Sequence, residues 1–192
     1  MSALRGFSRR DVAPRPVTPT DGEVIGRVLA GDVAAYAIIV DRYHARFARF
    51  ATRLLGSQED AEEALQDAFL RAYRGLGRYQ DRERFASWLY RILVNRCRSM
   101  QARFARRSRS VPDFESGGRV AADDIRLAGR EEAIWLIGQL PLEQREVFLL
   151  RFVEDMSYED IAGLTGLGMS AIKMRVSRGL DRLRELLGGE RQ

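Results

Sequence analysis

Arginine carries almost all of the positive charge in this 192-residue chain, because Lys173 is its only lysine. That charge concentrates in two places. Between Phe85 and Pro112 no acidic residue occurs, and Arg91, Arg96, Arg98, Arg103, Arg106, Arg107 and Arg109 accumulate. Tyr79, Phe85, Trp88 and Tyr90 cluster at the start of that stretch. Cations for phosphates and flat rings for unstacked bases are what single-stranded nucleic acid binding needs. The same pattern also fits inward-packed Trp88 and Leu89 with solvated arginines around them. The second place is Met156 to Leu187, where Lys173, Arg175, Arg178, Arg182 and Arg184 lie opposite Ile172, Val176, Leu180, Leu183 and Leu187. Arginine's planar fork suits phosphates and guanine edges. A GC-rich genome inflates arginine as well, so the residue type by itself leaves both explanations standing.

The bulk properties narrow the chemistry. A formal charge of +5 and a pI near 9.9 favour a polyanionic partner. Hydrophobic residues at 45% support packed cores, and charged residues at 31% suit a soluble chain. No apolar run is long enough to span a bilayer, so no membrane insertion is expected. The first residues, MSALRGFSRRDVAPRPVTPT, lack the apolar segment of a secretion signal. With one cysteine, Cys97, and one histidine, His44, there is no disulfide framework and no Cys/His cluster for zinc. A reduced, cytoplasmic setting is expected, with no metal, no cofactor and no catalytic residue. No phosphate-cradling glycine loop or nucleophile pattern accompanies His44, and an enzyme acting on nucleic acid is disfavoured.

The elements that must position these residues read as helices throughout. Met1 to about Pro19 is a flexible basic tail. Thr20 and Glu23 have capping-box spacing, and Gly31 stops the short helix that follows. From Asp32 onward, Tyr36, Val40, Tyr43, Phe47, Phe50 and Leu54 form an inner stripe of a long amphipathic helix. Gly56 and Ser57 separate it from GSQEDAEEALQDAFLRAYRGLG, whose inner face is Ala61, Ala64, Leu65, Ala68, Phe69 and Ala72. Its other face carries Asp60, Glu63, Gln66, Asp67 and Arg71. Acids in a first turn complement the helix dipole. Asp67 lies past that turn, which suggests a docking face for a basic partner. SRSVPDFESGGRVAADDIRLA reads as an acidic linker. Beyond it, EEAIWLIGQL, Pro141 and LEQREVFLLRFV read as two more helices, with Leu142, Val147, Phe148, Leu150 and Phe152 buried. Ser157 and Asp160 then start a short helix, Gly166 and Gly168 end it, and Ser170 caps the basic helix. Two short helices, a tight turn and a basic second helix are the parts of a helix-turn-helix. A plain helical hairpin with a solvated basic face has the same pattern.

The expected fold class is therefore all-α, with two small helical domains joined by a flexible acidic linker. The boundaries read as a tail at 1–19, a first domain at 20–107, the linker at 108–129 and a second domain at 130–192.

The chain as a whole resembles the extracytoplasmic-function sigma factors of bacterial RNA polymerase, in the sigma-70 family. GSQEDAEEALQDAFLRAYRGLGRY resembles the family's core-polymerase-binding segment. RFASWLYRILVNRCRS resembles its promoter-melting segment, and LPLEQREVFLLRFVEDMSYEDIAGLTGLGMSAIKMRVSRGLDRLREL its −35-reading domain. The DFESGG tract is similar to the sigma-E type of envelope-stress factor. The resemblance implies a promoter-specificity factor without catalysis, one that binds core polymerase, recognises −10 and −35 elements and helps melt promoter DNA in a stress response. It implies that Asp60, Glu63, Gln66 and Asp67 contact core polymerase. It implies that Asn95 holds a flipped −10 base, with Tyr79, Phe85 and Trp88 flanking and Arg91, Arg96 and Arg98 on the strand backbone. It implies that Lys173, Met174, Arg175, Ser177 and Arg178 meet the −35 element. Met174 stands where the family commonly has a small hydroxyl residue, and Ser177 where a bulkier one is common. The family also implies an anti-sigma factor partner. The C-terminal part alone fits a conventional regulator with an N-terminal sensor almost as well, and the first half discriminates between the two.

Overall fold

The computed structural model describes residues 18–80, 84–108 and 128–189. Most of the predicted tail and linker, the DFESGG tract included, lies outside these residues. The described residues are helical and turn, without strands.

Helix α1 (Asp21–Leu29) starts with both halves of the predicted capping box. Thr20 Oγ1 accepts from the Glu23 backbone N–H at 3.2 Å, and Glu23 Oε2 accepts from the Thr20 N–H at 2.7 Å. That backbone donor, then the Thr20 hydroxyl, holds the Glu23 carboxyl below its ordinary pKa. Asp32 caps a single 3₁₀ turn, Val33–Ala35, which feeds α2 (Tyr36–Leu55). The buried stripe of α2 is Ile39, Tyr43, Phe47, Phe50, Ala51 and Leu54. Val40 was expected in it and is only half-buried. Counting back by four from Phe47 and Tyr43 reaches Ile39, so Tyr36 and Val40 flank the stripe.

Gly56 closes α2 in the left-handed region at φ 79°, and Ser57 caps α3 (Gln58–Gly75) through the Asp60 N–H. α3 buries Ala61, Ala64, Leu65, Ala68, Phe69 and Ala72, the face read from the sequence. Its alanines leave room for the backbones of α2 and α4 (Phe85–Ser108) to approach. α4 contributes Phe85, Leu89, Tyr90, Leu93, Val94, Cys97 and Met100 to the core.

The second block comprises α5 (Ala128–Gly138), α6 (Leu142–Phe148), α7 (Tyr158–Thr165) and α8 (Met169–Gly189). α6 runs on into a wider π-helical turn, Leu149–Val153. That widening swings Phe152, expected to be buried, out to 55% exposure, while Leu149 and Leu150 stay buried. Ser157 and Asp160 form the predicted capping box of α7, and Gly166 ends it at φ 73°. α8 begins earlier than expected. The Ile172 N–H donates to Gly168 O at 3.1 Å, so Gly168 opens this helix and Ser170 lies inside it. Buried residues from both blocks, Phe47 and Tyr90 in the first and Val147 and Leu150 in the second among them, belong to one hydrophobic cluster.

Candidate nucleic-acid interface

α8 presents its two faces cleanly. Ile172 and Val176 are buried, whereas Lys173, Met174, Ser177 and Arg178 are exposed together. The period of the helix puts these four on the side away from the core. Arg175, also expected there, is half-buried and pairs with Glu143 at 2.7 Å. Arg182 and Arg184 pair with Glu185 and Asp181 along the same helix. Leu180 and Leu187, read as core positions, are exposed at 38% and 43%, while Leu183 between them packs against the core.

On α4 the spacing of Trp88, Arg91, Asn95 and Arg98 is three, four, three, so the four share one stripe. Asn95 is exposed. Arg91 Nη2 donates to Gly163 O at 2.6 Å. Arg98 grips Glu146 with two parallel bonds, Nε to Oε2 at 2.8 Å and Nη2 to Oε1 at 2.5 Å, and reaches Thr165 O at 3.5 Å. Arg96 lies off the stripe and faces α3. Its Nη2 donates to Glu63 Oε1 at 2.8 Å, and its Nε lies 3.0 Å from Asp67 Oδ2. Asp67 also accepts from Arg71 at 2.7 Å.

The aromatic residues divide. Phe85 is 3% exposed and packs against Tyr43, Tyr79 and Trp88, with ring centroids 5.3 to 5.9 Å away. It serves the core here and offers no face for stacking. Tyr79 and Trp88 are half-buried at the edge of the same cluster. Ten residues of helix separate Phe85 from Asn95, about 15 Å along the axis. Trp88 is the ring on Asn95's own stripe.

Of the four acidic-face positions on α3, Glu63 and Asp67 are drawn toward Arg96, as an ion-paired strut between α3 and α4. Asp60 and Gln66 have no side-chain partner among the described residues. Beside Gln66, one and two turns further along α3, Leu70 and Tyr73 are exposed at 54% and 37%, next to an open apolar groove between α2 and α3 lined also by Tyr36, Val40 and Glu62. His44 lies at the surface near Glu62. Among the described residues no group of three or more histidine, cysteine or acidic side chains is placed to hold a metal. Among the described residues no helix is long and apolar enough to cross a membrane.

Sequence reasoning missed three groups that the structure brings to the seam between the blocks. Glu146 is 2% exposed, and the Glu154 side chain is 5% exposed. Glu154 Oε2 accepts from the Tyr90 hydroxyl at 2.5 Å and from Arg46 Nε at 2.6 Å. Burial first, then Glu154, raises the Tyr90 pKa. Arg145 donates to Leu54 O at 3.0 Å, capping the carbonyl end of α2, and to Gly138 O and Leu140 O. Burial lowers its pKa. Glu146 sits in the run REVFLL, where nothing in the sequence separates a buried acid from a solvated one.

A helix-turn-helix with an exposed cationic second helix, joined to an arginine-lined helix with an exposed asparagine, defines a two-part DNA-binding transcription factor. The family model for Sigma-70 region 2 matches residues 39–110, and that for Sigma-70 region 4 matches residues 131–183. The ECF RNA polymerase sigma factor SigM of Mycobacterium tuberculosis is 33% identical over 172 residues, covering 88% of this chain and 85% of that protein. The ECF RNA polymerase sigma-E factor of Escherichia coli is 30% identical over 175 residues, covering 84% and 91%. Among solved structures, the sigma factor RpoE of Bartonella quintana, in complex with the anti-sigma factor NepR, is similar with a TM-score of 0.68 and 25% identity, covering 78% of this chain and 94% of that one. The chain belongs to the ECF sigma factors of the sigma-70 family and has their role in transcription initiation. Because the matches span both halves, the reading as a regulator with an N-terminal sensor is set aside.

Proposed function

We propose that this sigma factor grips a promoter at two points and opens it between them, α8 reading the −35 element and α4 the melted −10 strand. The observation that carries the reading is the shared exposure of Lys173, Met174, Ser177 and Arg178 on α8. Lys173 and Arg178 reach guanine acceptors in a major groove, and Met174 offers an apolar contact. On α4, Asn95 supplies a donor and an acceptor to an extruded base. Trp88 beside it stacks, and Arg91 and Arg98 take the strand backbone.

Core polymerase docks on α3, with Asp60 near its start and Gln66 further on beside exposed Leu70 and Tyr73. Polar groups around an apolar centre are the composition of a protein interface. The resemblance of the DFESGG tract to the sigma-E type of envelope-stress factor supports a stress-response regulon, and the Bartonella complex supports an anti-sigma factor as a second partner. The chain works in the cytoplasm, where polymerase is, and carries no catalysis of its own.

Run-off transcription with purified core polymerase tests the function. The chain is expected to confer initiation at discrete promoters, mapped by sequencing the 5′ ends of the transcripts. Initiation no different from core polymerase alone would refute it.

A further inference from the structure

Arg96 is the α4 arginine that the strand-binding arrangement leaves unused. Its side chain is 14% exposed and lies against α3, off the stripe of Trp88, Arg91, Asn95 and Arg98. The fork spans two carboxylates. Nη2 donates to Glu63 Oε1 at 2.8 Å, and Nε lies 3.0 Å from Asp67 Oδ2. Arg71 Nε donates to the same Asp67 oxygen at 2.7 Å. Glu63 and Asp67 are four residues apart, so the helical period stacks them on one edge of α3. One planar guanidinium bridging both, backed by a second on Asp67, fixes two side chains that would otherwise sample several rotamers.

The grip is one-sided. It takes Oε1 of Glu63 and Oδ2 of Asp67, while Oε2 and Oδ1 accept no hydrogen bond among the described residues. Glu63 keeps 61% of its side-chain surface exposed, and Asp67 29%. Each carboxylate is thus held by one oxygen and open at the other. Ion pairs so close to solvent add little to stability. Their effect is on conformation. Association loses free energy for each rotamer-rich side chain that it immobilises. With Arg96 in place, both carboxylates are ordered before a partner arrives.

We infer that Arg96 is a positioning residue for core polymerase: it holds Glu63 and Asp67 so that their remaining oxygens meet cationic side chains of the polymerase, and it does not hold the DNA strand. This rests on the reading of α3 as the polymerase-docking helix, with Glu63 and Asp67 in the contact. Resemblance alone groups Arg96 with Arg91 and Arg98 on the strand backbone; its pairing with α3 separates it from them. Arginine suits the task and lysine does not, because an ammonium is a point charge that cannot bridge two carboxylates in a fixed plane.

The test measures binding of the full-length, fluorescently labelled chain to purified core polymerase by anisotropy. It also measures open-complex formation, at saturating sigma factor, on a promoter mapped by the run-off experiment. Arg96→Met keeps the aliphatic stem and loses the fork; circular dichroism checks its helix content. It is expected to weaken core binding about tenfold, the effect of leaving two long side chains to be ordered on association. The salt slope of open-complex formation at saturation is expected to keep its wild-type value. Arg96→Lys is expected to lose part of the affinity. Glu63→Gln/Asp67→Asn is expected to bind core more weakly, and Arg96→Met added to it is expected to cost nothing further. Core affinity unchanged or tightened in Arg96→Met overturns the inference, and a lowered thermal midpoint with unchanged affinity assigns Arg96 to the fold alone. A salt slope reduced by about 0.7 marks a lost strand phosphate and overturns it as well. A further loss in the Glu63→Gln/Asp67→Asn background shows that Arg96 does not act through the carboxylates. If Glu63→Gln/Asp67→Asn binds core as tightly as the wild type, the docking reading of these carboxylates fails and the inference falls with it. Should Arg96→Met lose helix content, Arg96→Lys decides: unaltered core affinity in that folded variant counts as refutation.

Discussion

Arg175 and Arg178 stand three residues apart on α8 and meet different fates, because the helical period turns one toward Glu143 and leaves the other in solvent. Arg178→Ala is therefore expected to weaken binding to a −35 duplex by about 1–3 kcal/mol and to relax discrimination at one base pair. Competition among −35 variants measures this, and uniform weakening across all of them would mean a phosphate contact instead. Cys97 illustrates the opposite situation. Burial, then the nearby Glu146 carboxylate, pushes its thiol up to about 12 from an ordinary 9.0. A raised folded pKa means the thiolate is disfavoured in the folded chain. Its contribution to stability is complete below pH 9.0 and is lost as pH rises toward about 12. Alkylation by iodoacetamide at pH 9 is expected to be slow in the native chain and fast in denaturant, and the thermal midpoint is expected to fall above that pH. Equal alkylation rates in the two states would show that the thiol is not protected. Sequence pattern anticipated the exposure of Lys173, Met174, Ser177 and Arg178 on α8, since exposure on an amphipathic helix follows from spacing, but not the half-burial of Arg175 against Glu143. It misjudged Phe85, whose burial depends on Tyr43 and Tyr79 arriving from elsewhere in the chain.

At the scale of elements, the helix starts and stops were largely written in short-range chemistry. The capping boxes at Thr20 and Ser157 and the left-handed glycines at 56 and 166 involve neighbours in sequence, so they are legible without tertiary structure. The alanine face of α3 is legible for the same reason. The contact of α6 with α8 is not. A Cβ on Gly179 would lie 2.4 Å from Phe148 Cε2 and 3.1 Å from Cδ2. Gly179 is thus required by close packing of two helices and not by its backbone angle. Gly179→Ala is expected to destabilise the chain by about 1–3 kcal/mol, through displacement of the Phe148 ring. Urea unfolding followed by circular dichroism measures this, and an unchanged midpoint would mean that the ring moves aside freely. The π-helical turn after α6 is likewise illegible in sequence, because LLRFV suits an ordinary helix and only the seam gives Glu154 a reason to swing out.

For the molecule as a whole, the two blocks meet in a seam where Arg98 pairs with Glu146 and Arg46 with Glu154. A partner that separates the blocks, whether polymerase or a strand of DNA, has to replace the Arg98–Glu146 and Arg46–Glu154 pairs with contacts at least as favourable. The sequence by itself determined the all-helical class, the helix ends, the basic face of α8 and the family, because these depend on local periodicity, caps and motif order. Tertiary structure alone decided that Arg96 joins α3 to α4 and that Arg91 and Arg98 meet the second block. It also decided that two carboxylates are buried between the blocks. Those pairings join residues as far apart as 108 positions in the chain, Arg46 and Glu154. Charge pattern along a sequence does not specify which distant opposite charge a side chain will meet; the packing of the second block against α2 and α4 does.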